Sequence, residues 1–268
     1  MPFGYSQFLR KEGFKTVTID EHVRYLEYFF AYVDARYKRR KELFEITPAD
    51  IKDFLHSRTD SKPQTINKII SILKRFFDYA WHEGKVAVDP AQKLAYAAIE
   101  MERLASPTYE DILTMETAYL QSEEPIKRKC IFILTVAGLR PDEFAIKMDE
   151  IIVEATKVKL FISKQAHERI LTFLDKRAEV LTQYINSRHG YIYLLSSTDR
   201  NGTEKPLQRM TLTINLQKIS EFFQLESSLT TNTIRRAKAH YLLQSMTYED
   251  AAAELGIDKI SLMKLTAD

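Results

Sequence analysis

Along the first hundred positions apolar residues recur at the three-and-four spacing of helices that bury one face. Between Thr16 and Tyr37 the residues Val17, Val23, Leu26, Phe29, Phe30 and Val33 keep this spacing, with Arg24 and Glu27 between them, and predict one helix. Thr47-Pro48-Ala49-Asp50 is a start signal: a capping hydroxyl, proline at the first helical position and an acid three residues on. Ile51, Phe54 and Leu55 form the apolar face behind it. The clearest helix runs from Pro63 to Glu83, with Ser61 expected as its cap and Gln64 three residues later. Its stripe is Ile66, Ile69, Ile70, Leu73, Phe76, Phe77 and Ala80, and Gly84 with Asp89-Pro90 closes it.

A connecting stretch from Ala91 to Pro107 follows, and Thr108 with Asp111 opens a new helical region that includes Lys127–Leu139. A domain boundary is expected there, dividing 1–100 from 106–268. After Arg140 the period shortens to two. Val158, Leu160 and Ile162 alternate with polar residues, Gln165-Ala166-His167-Glu168 can turn, and Ile170 and Phe173 alternate again, so a β-hairpin is predicted. Tyr191-Ile192-Tyr193-Leu194-Leu195 reads as a further strand, Asp199-Arg200-Asn201-Gly202 as a turn, and the chain from Met210 onward as helical.

The 268 residues, 45% of them hydrophobic, suffice for two cored domains. The single Cys130 sits in the apolar run Cys130-Ile131-Phe132-Ile133-Leu134, which excludes a disulfide framework and points to a reducing compartment. No apolar run is long enough for a bilayer and Met1-Pro2-Phe3-Gly4-Tyr5 lacks the form of a signal peptide, so a cytoplasmic protein without membrane contact is expected.

The net charge of +2 carries no global signal, and any nucleic-acid contact must rest on local patches. Two patches stand out. On the Pro63–Glu83 helix, Thr65, Asn67, Lys68, Ser71, Lys74 and Arg75 lie off the apolar stripe. Such a face is commonly just solvated, but interleaved amides and cations are also what base-edge and backbone contacts use. Arg235, Arg236 and Lys238 stand near a helix start, where the helix dipole favours acids, so a partner with negative charge is expected. By contrast His22, His56, His82, His189 and His240 show no metal-ligand spacing, and neither metal nor cofactor is expected.

Three segments, in order, resemble the tyrosine recombinases, the phage integrase family. Ser61-Lys62-Pro63-Gln64-Thr65-Ile66-Asn67-Lys68 through Phe76-Phe77 to Gly84 and Asp89-Pro90-Ala91 is similar to the last helix of that family's core-binding domain. Ala137-Gly138-Leu139-Arg140-Pro141-Asp142-Glu143-Phe144 resembles the box of its first active-site arginine, and Thr231 to Leu265 the box of the second arginine with the helices that lead to the nucleophile. The resemblance implies a mainly α fold with a small β-sheet: a helical, SAM-like core-binding domain over 1–100 and an integrase catalytic-like domain over 106–268. It implies double-stranded DNA as partner, gripped at its phosphates by Arg140, Lys164 and Arg235, with Arg236, His167 and Arg169 as weaker contacts beside the Thr65, Asn67, Lys68, Lys74 and Arg75 face.

The family's cutting chemistry needs more: a histidine, a later histidine or tryptophan, and a tyrosine that attacks phosphorus. Their positions fall at Asn232, Ile257 and Thr266. The chain is therefore expected not to be an enzyme but a sequence-specific DNA-binding regulator, with an active recombinase whose nucleophile is displaced as the alternative. A narrower resemblance is to the phage repressors built on this scaffold in peptide-signalling (arbitrium) temperate phages, which implies a peptide or protein regulator and oligomers on DNA. An interaction protein that docks on an active recombinase is a third class. Thr247 to Ile260 also resembles a helix-turn-helix, with Gly256 in its turn.

Overall fold

The computed structural model describes residues 4–98, 107–163 and 168–267, and the chain folds as two compact units, Met1–Glu102 and Arg103–Asp268. The first unit is built from α1 (Tyr5–Lys11), α2 (Thr16–Tyr37), α3 (Pro48–His56) and α4 (Pro63–His82). α3 starts where its capping box predicts: Asp50 N donates to Thr47 Oγ1 at 3.3 Å and Thr47 N to Asp50 Oδ2 at 2.8 Å. The buried Asp50 carboxylate also accepts from Tyr37 Oη at 2.6 Å and Lys41 Nζ at 2.8 Å, which ties the end of α2 to the start of α3. Burial alone would raise its pKa, but the hydrogen bonds from Lys41, Tyr37 and Thr47 hold it at about 2.

α4 buries Ile69, Ile70, Leu73, Phe76, Phe77 and Ala80, and the aromatic rings set the geometry of the core. Phe76 meets Tyr5 edge-on at 5.2 Å, and Phe29 of α2 meets Phe54 of α3 at 5.3 Å. Two expectations differ in detail. Val17 is 80% exposed on the first turn of α2 and takes no part in the buried face. Ser61 does not cap α4; Lys62 is the capping residue and gives the helix no side-chain capping bond, and Pro63 has no amide to satisfy.

The second unit contains α5 (Tyr109–Gln121), α6 (Ile126–Val136), β1 (Ile151–Val153), β2 (Lys157–Ile162), β3 (Arg169–Leu174), α7 (Asp175–Asn186), β4 (Ser196–Thr198), β5 (Glu204–Pro206), α8 (Arg209–Phe222), α9 (Thr231–Leu242), α10 (Tyr248–Leu255) and α11 (Lys259–Thr266). After a polar first turn with Lys127, Arg128 and Lys129, α6 is buried on every side from Cys130 to Val136, as a helix enclosed by its neighbours must be. β1, β2 and β3 form an antiparallel sheet in that order, with Leu160 opposite both Ile151 and Leu171. Its inner face, Val158, Leu160, Ile162, Leu171 and Phe173, joins the core with α6 and α7.

The strand expected at Tyr191–Leu195 forms farther on. Met148 N donates to Ile192 O and Leu194 N to Ile146 O, each at 2.9 Å, but the ladder proper is β4 paired with β5. α6 ends at Val136 rather than Leu139, because Gly138 takes the left-handed conformation at φ 91°. α10 and α11 rest on α9 through a separate small core of Ala239, Leu242, Ala251, Ala252, Leu255, Ile257 and Leu262. Among the described residues no helix is long and apolar enough to cross a membrane.

Candidate functional site

Arg140 follows the end of α6, and its surroundings are organised by one carboxylate. Glu143, fully buried, accepts from the Arg140 backbone N at 2.7 Å and from its Nη2 at 3.3 Å. Arg169, the first residue of β3, meets the same carboxylate with both terminal nitrogens, at 2.7 and 3.1 Å. Arg235 Nη1, on α9, lies 4.0 Å from it. Burial would raise the Glu143 pKa, but the bonds from Arg169 and from the Arg140 backbone outweigh it and hold the group ionised. The carboxylate in turn allows like charges to share one site.

Arg140 and Arg235 thus meet around one centre, yet they differ in access. The Arg140 side chain is 23% exposed, although its Nε is buried, lies 3.9 Å from Asp142 Oδ1 and has no hydrogen-bond partner among the described residues, whereas Arg235 is 6% exposed. Arg235, expected to grip a phosphate at the surface, is instead turned inward: Nη1 donates to Gly138 O and Nη2 to Leu255 O at 3.3 Å. These carbonyls close the ends of α6 and α10, where the helix dipole favours a cation. Burial, with the like charges of Arg140 and Arg169, lowers the Arg235 pKa to about 10 against the pull of Glu143, so the group stays charged at neutral pH.

Its neighbours on α9 do the same. Arg236 Nε donates to Leu265 O at 3.1 Å and Nη2 to Ala267 O at 2.7 Å, at the end of α11. The buried Lys238 donates to Ala137 O and to Glu254, each at 2.9 Å. The cations that imply an external anion therefore meet, in this fold, the terminal carbonyls of α6, α10 and α11. Arg169, expected as a weak contact at a hairpin tip, also points inward. A Cβ at Gly256, which sits at φ 61°, would fall 1.8 Å from Arg169 Nη1, so the turn between α10 and α11 needs glycine for both its conformation and its clearance.

Lys164 and His167 lie outside the described residues. Asn232 is exposed on the first turn of α9, Ile257 is buried in the small core of α9 to α11, and Thr266 ends α11 with its hydroxyl donating to Leu262 O at 3.1 Å. Beside Asn232 a cleft of 320 Å³ is lined by Arg236, His240 and Tyr241 of α9 and by Tyr109 and Glu110 of α5. The Tyr109 and Tyr241 rings stand 5.2 Å apart along it.

In the first unit the outer face of α4 is partly covered by the chain that follows it. Asn67, expected to read bases, uses both ends of its amide on the backbone of Ala97, Nδ2 to O at 2.9 Å and Oδ1 from N at 2.7 Å. Ser71 Oγ meets Tyr96 Oη at 3.2 Å, and Lys74 lies over the Tyr96 ring and donates to Gln92 O at 3.4 Å. Thr65 is half-buried. Lys68 and Arg75 stay exposed, the first paired with Glu21 at 2.9 Å, the second over the Phe14 ring at 4.8 Å. The pattern along the chain missed Asn67 as a clamp and the buried Lys238 paired with the exposed Glu254; the Arg-x-x-Glu spacing from Arg140 to Glu143 was the one available hint of the charged centre.

Comparison with known proteins bears on this arrangement. Residues 102–256 match the phage integrase family and residues 4–84 the N-terminal SAM-like domain of phage integrases. A protein of Listeria innocua named tyrosine recombinase XerD is 24% identical over 251 residues, covering 88% of this chain and 82% of that one. The crystal structure of a lambda integrase(75-356) dimer bound to a COC' core site superposes with a TM-score of 0.71 at 16% identity, over 98% of this chain and 93% of that one. A pre-cleavage complex of the XerH site-specific recombinase bound to difH substrate gives 0.67 at 17% identity, over 94% and 76%. The fold is that of these enzymes, with a SAM-like helical unit followed by an integrase catalytic-like unit. Since the family match spans more than half of the chain and its arginine-bearing turn lies inside that match, the chain belongs to the phage integrase family of tyrosine recombinases.

Proposed function

We propose that this chain binds double-stranded DNA on a recombinase scaffold without cutting it, as a sequence-specific transcriptional regulator, a repressor of phage or mobile-element origin. One observation carries the reading. Where the family has a phenol that can lose its proton and attack phosphorus, this chain has Thr266, an aliphatic hydroxyl that donates to Leu262 O within its own helix. Asn232 cannot titrate near neutral pH as a histidine would, and Ile257 is buried and apolar.

Support for DNA as the partner comes from the relatives, of which lambda integrase and XerH are described in complex with DNA sites or substrate. In this reading Arg140, the more accessible of the two arginines at 23% exposure, and Lys164 contact a backbone phosphate, while Arg235 and Glu143 hold the turn that presents Arg140. Lys68, Arg75, Lys74 and Thr65 contact the duplex from the first unit. Arg169, Arg236 and Asn67 act as internal supports. The test is a nicked suicide duplex followed by denaturation, beside a salt titration of binding. No covalent adduct and a steep log–log decline with salt are expected. An adduct overturns the non-cutting half, and a flat salt response overturns the phosphate grip.

A second reading, an active recombinase with a displaced nucleophile, is favoured by the recombinase names of its relatives and by the exposed Tyr241, which shares a cleft with Asn232, Arg236 and His240. Its mark is an adduct that disappears in Tyr241→Phe.

A further inference from the structure

The hairpin of β4 and β5 stands outside every site described above. It is held to the unit by ionic and shielded contacts both at its base, Ser196, and beside its turn, at Glu204 opposite Thr198. Arg188, just past α7, lies over the Tyr191 ring at 3.5 Å and donates to Tyr193 O at 3.3 Å, to Ser196 Oγ and to Glu204 Oε1 at 3.4 Å. Glu204 also accepts from Ile192 N at 2.8 Å and Tyr193 N at 3.2 Å, and Lys127 of α6 donates to Ser196 O at 2.8 Å. Both strands are therefore pinned to the body of the unit.

The tip is closed just as firmly. Asp199 Oδ1 accepts from the backbone N of Asn201 and of Thr203, each at 2.9 Å, and Asp199 N donates to Thr203 O at 3.0 Å. Asp199 Oδ2 pairs with Lys205 at 2.8 Å, which neutralises the acid of the turn. What this frame presents outward is Arg200 and Asn201, both exposed and without a side-chain partner among the described residues.

An ordinary surface turn is held loosely and loses conformational freedom when it binds anything. This one is already fixed, so an Arg-Asn pair at its end can meet a partner at little further entropic cost. The chemistry of the pair is specific. Arginine matches the two acceptors on the guanine edge, asparagine the acceptor and donor on adenine, and a two-stranded ribbon fits the major groove. We infer that the β4–β5 arm enters the major groove of the bound duplex and reads base edges with Arg200 and Asn201. The inference rests on the DNA-binding reading above and adds to it a specificity element outside the arginine centre.

The test uses the whole chain and duplexes selected by the wild-type protein from a randomised library. Arg200→Ala and Asn201→Ala are each expected to weaken binding to the selected duplex by about tenfold or more and to erase preference at one or two base pairs. Binding to a random-sequence duplex and thermal unfolding should stay as in the wild type. Arg200→Lys keeps the charge but loses the planar fork, and is expected to behave like Arg200→Ala. Variants that select the same sequence with wild-type affinity overturn the inference. So does an equal loss on selected and random duplexes, which marks a backbone contact. If the wild-type protein binds no duplex at all, the DNA-binding reading itself falls; if it binds and Arg200→Ala is silent, only the arm's role does.

Discussion

On α4 the cations Lys68, Lys74 and Arg75 lie on the outer side of a helix whose opposite side is buried, and on α9 Arg235, Arg236 and Lys238 lie on a helix with others packed around it. Along the chain both read as an invitation to an anion. In the fold the α4 cations meet partners at the surface, such as Glu21 beside Lys68, in pairs that water and salt weaken. The α9 cations meet the carbonyl ends of α6, α10 and α11. A helix terminus is a partial negative charge with unsatisfied acceptors, so it can satisfy a buried cation as an external anion would. A cationic helix start is therefore evidence for an outside partner only when no other helix ends beside it.

The largest effects that break this comparison lie at the charged centre. Removing Glu143 leaves Arg140, Arg169 and Arg235 facing one another, and removing Arg235 leaves Gly138 O and Leu255 O without the guanidinium that donates to them. Glu143→Ala and Arg235→Ala are each expected to cost the second unit about 3–5 kcal/mol, read by urea denaturation followed by circular dichroism. Lys68→Ala should cost less than about 0.5 kcal/mol in the same experiment. If Arg235→Ala unfolds at the wild-type midpoint, the internal role assigned to α9 is wrong.

Smaller changes sharpen the contrast. Arg236→Ala frees Leu265 O and Ala267 O at the end of α11, at a local cost of about 1–2 kcal/mol. Amide exchange over 259–267 should then speed up by roughly tenfold while the rest of the unit keeps its protection. Asn67→Ala removes both amide bonds to Ala97, and limited proteolysis should begin at the stretch after α4 with the helices intact. Unchanged cleavage would mean that Asn67 is not what holds that stretch.

The parts legible in the sequence are those where local pattern and burial coincide. The stripe from Ile69 to Ala80 and the Thr47 capping box needed no knowledge of the neighbours. α7 went unread because its polar residues mask a short apolar set, Ala178, Val180, Leu181, Tyr184 and Ile185, that becomes a face only against α6 and the sheet. The run Tyr191–Leu195 looks like a strand because Leu194 and Leu195 are buried, yet its backbone makes no continuous ladder and meets Ile146, Met148, Leu207 and the Glu204 carboxylate one bond at a time. The family resemblance could name Arg140 and Arg235, but not which of them stays more accessible. Access at Arg140 and closure at Arg235 depend on Leu255 O, twenty residues farther along than Arg235, reaching back to it.

Arg75 offers the finest test, because it faces both solvent and a buried histidine. His22 Nδ1 lies 3.0 Å from Tyr5 Oη inside the first unit, and its pKa is lowered by burial first and by the Arg75 charge second, with Glu21 acting the other way. The unfolded chain therefore takes up this proton more readily than the folded one, so the histidine costs no stability above its ordinary value near 6.5 and a growing amount as pH falls below it. In Arg75→Ala the folded value moves back toward the ordinary one, and the loss of thermal stability between neutral and mildly acidic pH should shrink without vanishing, since burial remains. The same substitution should reduce the slope of log affinity against log salt by about one if Arg75 also contacts a phosphate. A smaller acid sensitivity with an unchanged salt slope would make Arg75 a residue that, like those of α9, acts inward.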